Sequence, residues 1–186
     1  MELDILMSLG PTNFKIARGL LTGELLDFLG VYAFTKATDP NSIPTEETHG
    51  FVDDQIPNTP AWHNDPAMII LLYHFLPNVE NFANTKLRPT YAYLRVYKNG
   101  DELEEHTDKP SCEFSITLTL KRERNENIWP IYLKTCNDNH FADKVHKVEL
   151  EEGDGLIYKG IESPHWRDEF EGSRLAQVFL HYVRRT

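Results

Sequence analysis

Residues 90–120 read TYAYLRVYKNGDELEEHTDKPSCEFSITLTL, and the period of their apolar positions decides the fold class. Across Thr90–Tyr97, Ala92, Leu94 and Val96 alternate with Tyr91, Tyr93, Arg95 and Tyr97. Across Glu113–Leu120, Phe114, Ile116, Leu118 and Leu120 alternate with Glu113, Ser115, Thr117 and Thr119. A period of two belongs to strands, because successive side chains leave a strand on opposite faces. Further strand-like runs follow at Trp129–Leu133, Val145–Leu150, Leu156–Tyr158 and Arg174–Val183. Turn signals separate them, among them Asn99-Gly100, Gly153-Asp154-Gly155 and Glu171-Gly172. The Ser and Thr face of the second run faces either a polar cavity or solvent; the period alone admits both.

Upstream of this block the period is helical. After a mixed-apolar segment at Phe14–Leu21, Thr22 offers an N-cap, and Leu25, Phe28, Leu29 and Tyr32 recur at helical spacing. Asp65-Pro66 is a helix opening, with Met68, Ile69, Leu72, Phe75, Leu76, Val79 and Phe82 as its buried stripe. Pro77 is expected to kink or break that helix, since it lacks the N–H its own backbone bond needs. Between the helices lies a Pro-rich, acidic loop, Thr38–Asn64, which reads either as a disordered surface loop or as a lid or substrate contact. Helices followed by many short strands indicate a mainly β, α+β fold, a sandwich or barrel with helices on one sheet.

At 186 residues the chain is expected to form one domain, 1–186, with a helical part over about 1–85 and a β core from about 86 to 183. The net charge of −10 argues against a surface built for nucleic acid. Two cysteines, Cys112 and Cys136, exclude a disulfide scaffold and a Cys-rich zinc module. Acidic residues near the N-terminus and the lack of a long apolar run favour a soluble, cytoplasmic protein that spans no membrane.

The chemistry concentrates in His106-Thr107-Asp108, which lies between the two strongest strands. A second His-x-Asp, His63-Asn64-Asp65, is explained by Asp65 as a helix cap and is expected to lie elsewhere. Further on stand His165, in Ser163-Pro164-His165-Trp166, and Arg174 nine positions later. Two imidazoles and one carboxylate on a rigid sheet are the facial triad of non-haem Fe(II) oxygenases, which leaves three positions open for cosubstrate and O2. An arginine nearby suits a dicarboxylate, because its planar fork matches a carboxylate. Trp166 and Arg167 either shape the mouth of the site or pack. Cys112 reads as a small apolar residue, and His181, opposite in parity to Arg174, as structural.

These residues resemble the Fe(II)/2-oxoglutarate-dependent oxygenases, in particular the prolyl-4-hydroxylase-like branch. The resemblance runs from about Asp65 to Val183 and is dense in LRPTYAYLRVYKNGDELEEHTDKPSCEFSITLTL, NIWPIYL, EEGDGLIYKGIESPHWRDEFEG and AQVFLHYV. It implies a double-stranded β-helix (jelly roll, cupin-like) with N-terminal helices packed on one sheet. It implies Fe(II), 2-oxoglutarate and O2 as cofactor and cosubstrates, with His106, Asp108 and His165 as iron ligands and Arg174 gripping the distal carboxylate of 2-oxoglutarate. Tyr97 matches a cosubstrate-contacting tyrosine of the family, with Tyr91 and Tyr93 as alternatives, and Thr119 matches a hydroxyl position. The implied reaction hydroxylates a C–H bond, releasing succinate and CO2, on a peptidyl (prolyl-type) residue or a small molecule. A nucleic-acid base or a non-catalytic jelly-roll binding protein is the alternative. The carboxylate ligand favours hydroxylation over halogenation, since related halogenases lack it so that chloride can bind.

Overall fold

The computed structural model describes residues 13–39, 41, 50–51, 55–57, 59–124, 126–135 and 144–185. In chain order the elements are β1 (Phe14–Ala17), α1 (Gly23–Thr38), β2 (Gly50–Phe51), β3 (Ala61–His63), α2 (Pro66–His74), α3 (Leu76–Ala83), β4 (Leu87–Lys98) and β5 (Leu103–His106). After a 3-10 turn at Pro110–Cys112 come β6 (Phe114–Arg122), β7 (Ile131–Thr135), β8 (Lys144–Val148), β9 (Gly155–Tyr158), β10 (His165–Arg167) and β11 (Arg174–Arg184). They form two antiparallel sheets. The larger has the order β1-β9-β6-β11-β4-β3-β2, the smaller β5-β10-β7-β8. This is the jelly roll with helices on one sheet, and β1, β2 and β3 from the N-terminal half extend its larger sheet.

The helices cover one face of that sheet. Ala92, Leu94 and Val96 of β4, Phe114, Ile116 and Leu118 of β6, and Ala176, Val178 and Leu180 of β11 are buried with Ala33, Phe34, Met68 and Leu72 of the helices. The opposite face, carrying Tyr97, Ser115, Thr117, Leu175 and Gln177, turns inward between the two sheets. Ser115, Thr117 and Thr119 are buried, so the hydroxyl face of β6 looks into the molecule and away from solvent.

Asp65 caps α2 through Oδ1, which accepts from Ala67 N at 2.9 Å and Met68 N at 3.3 Å. Its Oδ2 accepts from the Tyr32 hydroxyl at 2.6 Å and pairs with Lys36 Nζ at 3.0 Å, so one buried carboxylate ties α1 to α2. The phenol of Tyr32 is held protonated by burial and by this carboxylate. Pro77 does end α2: Phe75 caps it, and α3 starts with the proline in its first turn, where a missing N–H is harmless. Thr22 precedes α1 but makes no side-chain cap bond. The buried face of α1 is Leu29, Gly30, Ala33 and Phe34, while Leu25 and Phe28 of the expected stripe are exposed. Gly30 sits so close to Lys121 that a β-carbon there would collide with it; the small residues let the helix approach the sheet. The Thr38–Asn64 segment contributes β2 and β3, which pair onto the edge at β4; most of the rest of it lies outside the described residues. No described helix is long and apolar enough to cross a membrane.

Candidate metal centre

Between the sheets lies a cavity of about 470 Å³. His106 ends β5 and His165 begins β10, and the two residues are direct partners in the antiparallel pairing. That pairing brings the rings to 4.3 Å between centroids. Asp108 follows β5 by two residues, and its backbone N–H donates to Gly160 O at 3.0 Å, which turns the carboxylate back toward both rings. Nε2 of His106 and Nε2 of His165 stand 3.9 and 3.8 Å from the same oxygen, Asp108 Oδ1.

The remaining bonds prepare these atoms for a cation. Nδ1 of His106 donates to Glu104 O and Nδ1 of His165 donates to Ser163 O, both at 2.9 Å. With the proton placed on Nδ1, each ring turns the lone pair of Nε2 toward the shared centre. Burial lowers the pKa of His165, against the pull of Asp108, and keeps the ring neutral as a ligand must be. On the far side of the carboxylate the Ser115 hydroxyl donates to Asp108 Oδ2 at 2.9 Å and leaves Oδ1 to the centre. Ser115 Oγ also lies 2.9 Å from His181 Nδ1. Burial pushes the pKa of His181 down to about 4, so this ring is neutral and donates to Ser115. The donor atoms of His106, Asp108 and His165 lie within 4.8 Å of one another and are able to hold a divalent ion. An N,N,O set of this kind suits Fe(II) and its divalent neighbours.

The expected residues are only partly brought together. Tyr91, Tyr93 and Tyr97 all line the cavity, as Tyr158, Phe179 and Arg95 do. Thr119 faces inward, but its hydroxyl donates to Gln177 Oε1 at 3.1 Å, and it is not among the cavity-lining residues. His63, expected elsewhere, lines the cavity and stacks on Tyr91 at 4.8 Å; Asp65 lies apart, at the α2 cap.

Arg174 requires a correction. Strand parity does put it with Ala176, Val178 and Leu180, but that face lies under the helices and not inside the barrel. Its Nε and Nη2 donate to Glu123 Oε2 at 3.0 and 2.6 Å, and its guanidinium lies over the Phe34 ring at 4.5 Å. Glu123 stands one residue past the end of β6. The residue after Arg174, Leu175, is the one that turns inward.

Ser115, His181 and Gly160 do not stand out as site residues on spacing alone, and Arg167, read as shaping the mouth or packing, is buried against Trp129. Parity signals two of them: Ser115 lies on the polar face of β6, and Arg167 shares a strand face with His165. The Trp166 between them points the other way and stacks on Tyr132 at 5.3 Å.

No family model and no curated protein matches the chain. Solved structures do. A prolyl-4-hydroxylase of Pseudomonas putida is 13% identical, covers 94% of both chains and has a TM-score of 0.66. HygX from Streptomyces hygroscopicus, solved with nickel, 2-oxoglutarate and hygromycin B bound, is 12% identical over 94% of this chain and 84% of its own, with a TM-score of 0.68. A viral collagen prolyl hydroxylase of Paramecium bursaria Chlorella virus-1, in complex with 2-oxoglutarate, is 12% identical over 92% of this chain and 96% of its own, with a TM-score of 0.62. The chain has the jelly-roll fold of the Fe(II)/2-oxoglutarate-dependent oxygenases, with a His-Asp-His group able to hold the metal between its sheets.

Proposed function

We propose that this protein is an Fe(II)- and 2-oxoglutarate-dependent dioxygenase that hydroxylates a C–H bond, with a peptidyl, prolyl-type residue as substrate. The observation that carries the reading is the convergence of His106 Nε2 and His165 Nε2 on Asp108 Oδ1 inside the cleft. Iron bound there would couple decarboxylation of 2-oxoglutarate, with release of succinate and CO2, to oxidation of the substrate by O2. The protein's part is geometric. Glu104 and Ser163 carbonyls orient the two rings, and Ser115 holds the outer oxygen of Asp108. Tyr91, Tyr93, Phe179 and His63 form walls that displace water and select the substrate. Tyr97, buried against Trp129 and lining the cavity, forms the wall on which the cosubstrate rests, while the Thr119 hydroxyl is bonded to Gln177 Oε1.

A small-molecule substrate is the second reading, favoured by the likeness to HygX with its bound hygromycin B. The net charge of −10 weighs against a nucleic-acid base.

Anaerobic addition of Fe(II) and then 2-oxoglutarate should raise a visible charge-transfer band, which His106→Ala and Asp108→Ala lose. A protein that binds Fe(II) but shows no band with the keto acid would overturn the dioxygenase reading. Succinate release screened over prolyl peptides and free metabolites then separates the two substrate classes.

A further inference from the structure

With Arg174 outside the barrel, a dicarboxylate chelated at the metal centre needs a different cation for its far end. Among the described residues two arginines are buried on the inner side, Arg95 and Arg167. Arg95 is already partnered: Nη2 donates to the Tyr93 hydroxyl at 3.0 Å, and the guanidinium lies over the Tyr93 and Tyr97 rings at 5.2 and 5.7 Å.

Arg167 is different. It is only 2% exposed, yet no acidic side chain pairs with it among the described residues. Nη1 donates to Trp129 O at 2.6 Å and the guanidinium lies 4.7 Å from the Trp129 ring centre. Nε and Nη2 are buried with no hydrogen-bond partner. Those two atoms form one edge of the guanidinium, the same edge that Arg174 presents to Glu123. An Arg edge with two parallel N–H groups matches a carboxylate. A buried cation lacking a counter-charge is costly, and a ligand anion would relieve that cost.

The position also fits. Arg167 lies on the same strand face as His165, two residues on, and residues so related are about 7 Å apart. That is the scale of a short dicarboxylate stretched from a metal-chelating head to its tail. Leu103, which lines the cavity, is the register partner of Arg167. The phenols of Tyr97 and Tyr158, also cavity-lining, lie within electrostatic reach of it. A guanidinium keeps its proton at neutral pH, so the buried group is a cation.

We propose that Arg167 receives the distal carboxylate of the 2-oxo acid, in the role that the family resemblance gives to Arg174. The proposal rests on the dioxygenase reading above and deepens it.

The test is calorimetric titration, under anaerobic conditions, of Mn(II)-loaded protein with 2-oxoglutarate and with 2-oxobutyrate, which has the same chelating head and no distal carboxylate. Wild type should prefer the dicarboxylate at least tenfold. In Arg167→Gln the affinity for 2-oxoglutarate should fall about 10- to 150-fold, the range of a charge-assisted hydrogen bond. Affinity for 2-oxobutyrate and for Mn(II) should stay as in wild type. Arg167→Lys, which keeps the charge and loses the fork, should fall between. An unchanged dicarboxylate preference in Arg167→Gln overturns the proposal and leaves the dioxygenase reading intact. Wild-type Mn(II) protein that binds neither keto acid overturns the dioxygenase reading itself. Should Arg167→Gln fail to fold, a crystal structure of wild type with Mn(II) and 2-oxoglutarate decides. The distal carboxylate on Nε and Nη2 of Arg167 supports the proposal, and its placement on Arg95 overturns it.

Discussion

The carboxylate of Asp108 packs against the bare α-carbon of Gly160, and a β-carbon there would collide with Asp108 Oδ2 and with Cys112 O. Backbone bonds lock the contact from both sides: Asp108 N donates to Gly160 O at 3.0 Å, and Gly160 N donates to Glu113 O at 3.1 Å. Gly160 lies five residues before His165, so one short segment carries the distal histidine and seats the carboxylate that must meet it.

Gly160→Ala should therefore displace Asp108 Oδ1 from the two Nε2 atoms. Divalent metal affinity is expected to fall about 10- to 100-fold, the usual effect of disturbing a ligand's supporting contacts. Overpacking should also cost about 1–3 kcal/mol of stability. Calorimetric titration with Mn(II), alongside urea denaturation, measures both. Wild-type metal affinity would mean that Asp108 is not a ligand.

Ser115 is the other support. Ser115→Ala removes the donor to Asp108 Oδ2 and leaves the His181 N–H buried without its acceptor. The loss in stability should be about 1–3 kcal/mol, with metal affinity down about tenfold. If both stay at wild-type values, the chain His181–Ser115–Asp108 does not position the carboxylate.

The parts of the site that depend on spacing were legible in the sequence, and those that depend on which face is inside were not. His106, Asp108 and His165 stand out because a strand end carries residues i and i+2 to one side and a second histidine follows further on, in Ser163-Pro164-His165-Trp166. Parity likewise groups Arg174 correctly with Val178 and Leu180. It cannot say that this apolar face is the outer one. β6 and β11 are neighbours, with Leu118 opposite Val178 and Ile116 opposite Leu180, so their apolar faces are one surface covered by α1 and α2. The inner face carries the polar and aromatic set: Gln177, Phe179 and His181. On α1 a count of large apolar residues chose Leu25 and Phe28, while Gly30 and Ala33 mark the packed side. Close approach selects small residues, which a hydrophobic stripe does not register.

Arg174→Ala follows from that correction. The pair with Glu123 is 38% exposed on both sides and screened by water, so its loss should change stability only slightly. Affinity of the Mn(II) protein for 2-oxoglutarate should be unchanged within error. A tenfold loss would place the cosubstrate on the helix side of the sheet and contradict the observed strand faces.

The last expectation concerns pH. His181 is buried, and burial is the main cause that lowers its pKa to about 4; Lys109, His165 and His63 push in the same direction, and Asp108 opposes them. In the unfolded chain the imidazole titrates near 6.5. Below that pH the unfolded state takes up a proton that the folded state refuses, so stability falls as pH drops and stops falling, for this group, near pH 4. A separation of this size corresponds to about 3 kcal/mol. Above pH 6.5 both states are neutral and the group is silent. Burial lowers the pKa of His165 as well, so part of the slope belongs to it. His181→Asn keeps a donor toward Ser115 and removes the titration. Urea denaturation of the metal-free protein from pH 7 down to about pH 4 should show wild type losing about 3 kcal/mol more than His181→Asn. Parallel curves would mean that His181 takes its proton at the ordinary pH in the folded protein, and that the ring is not sealed between the sheets.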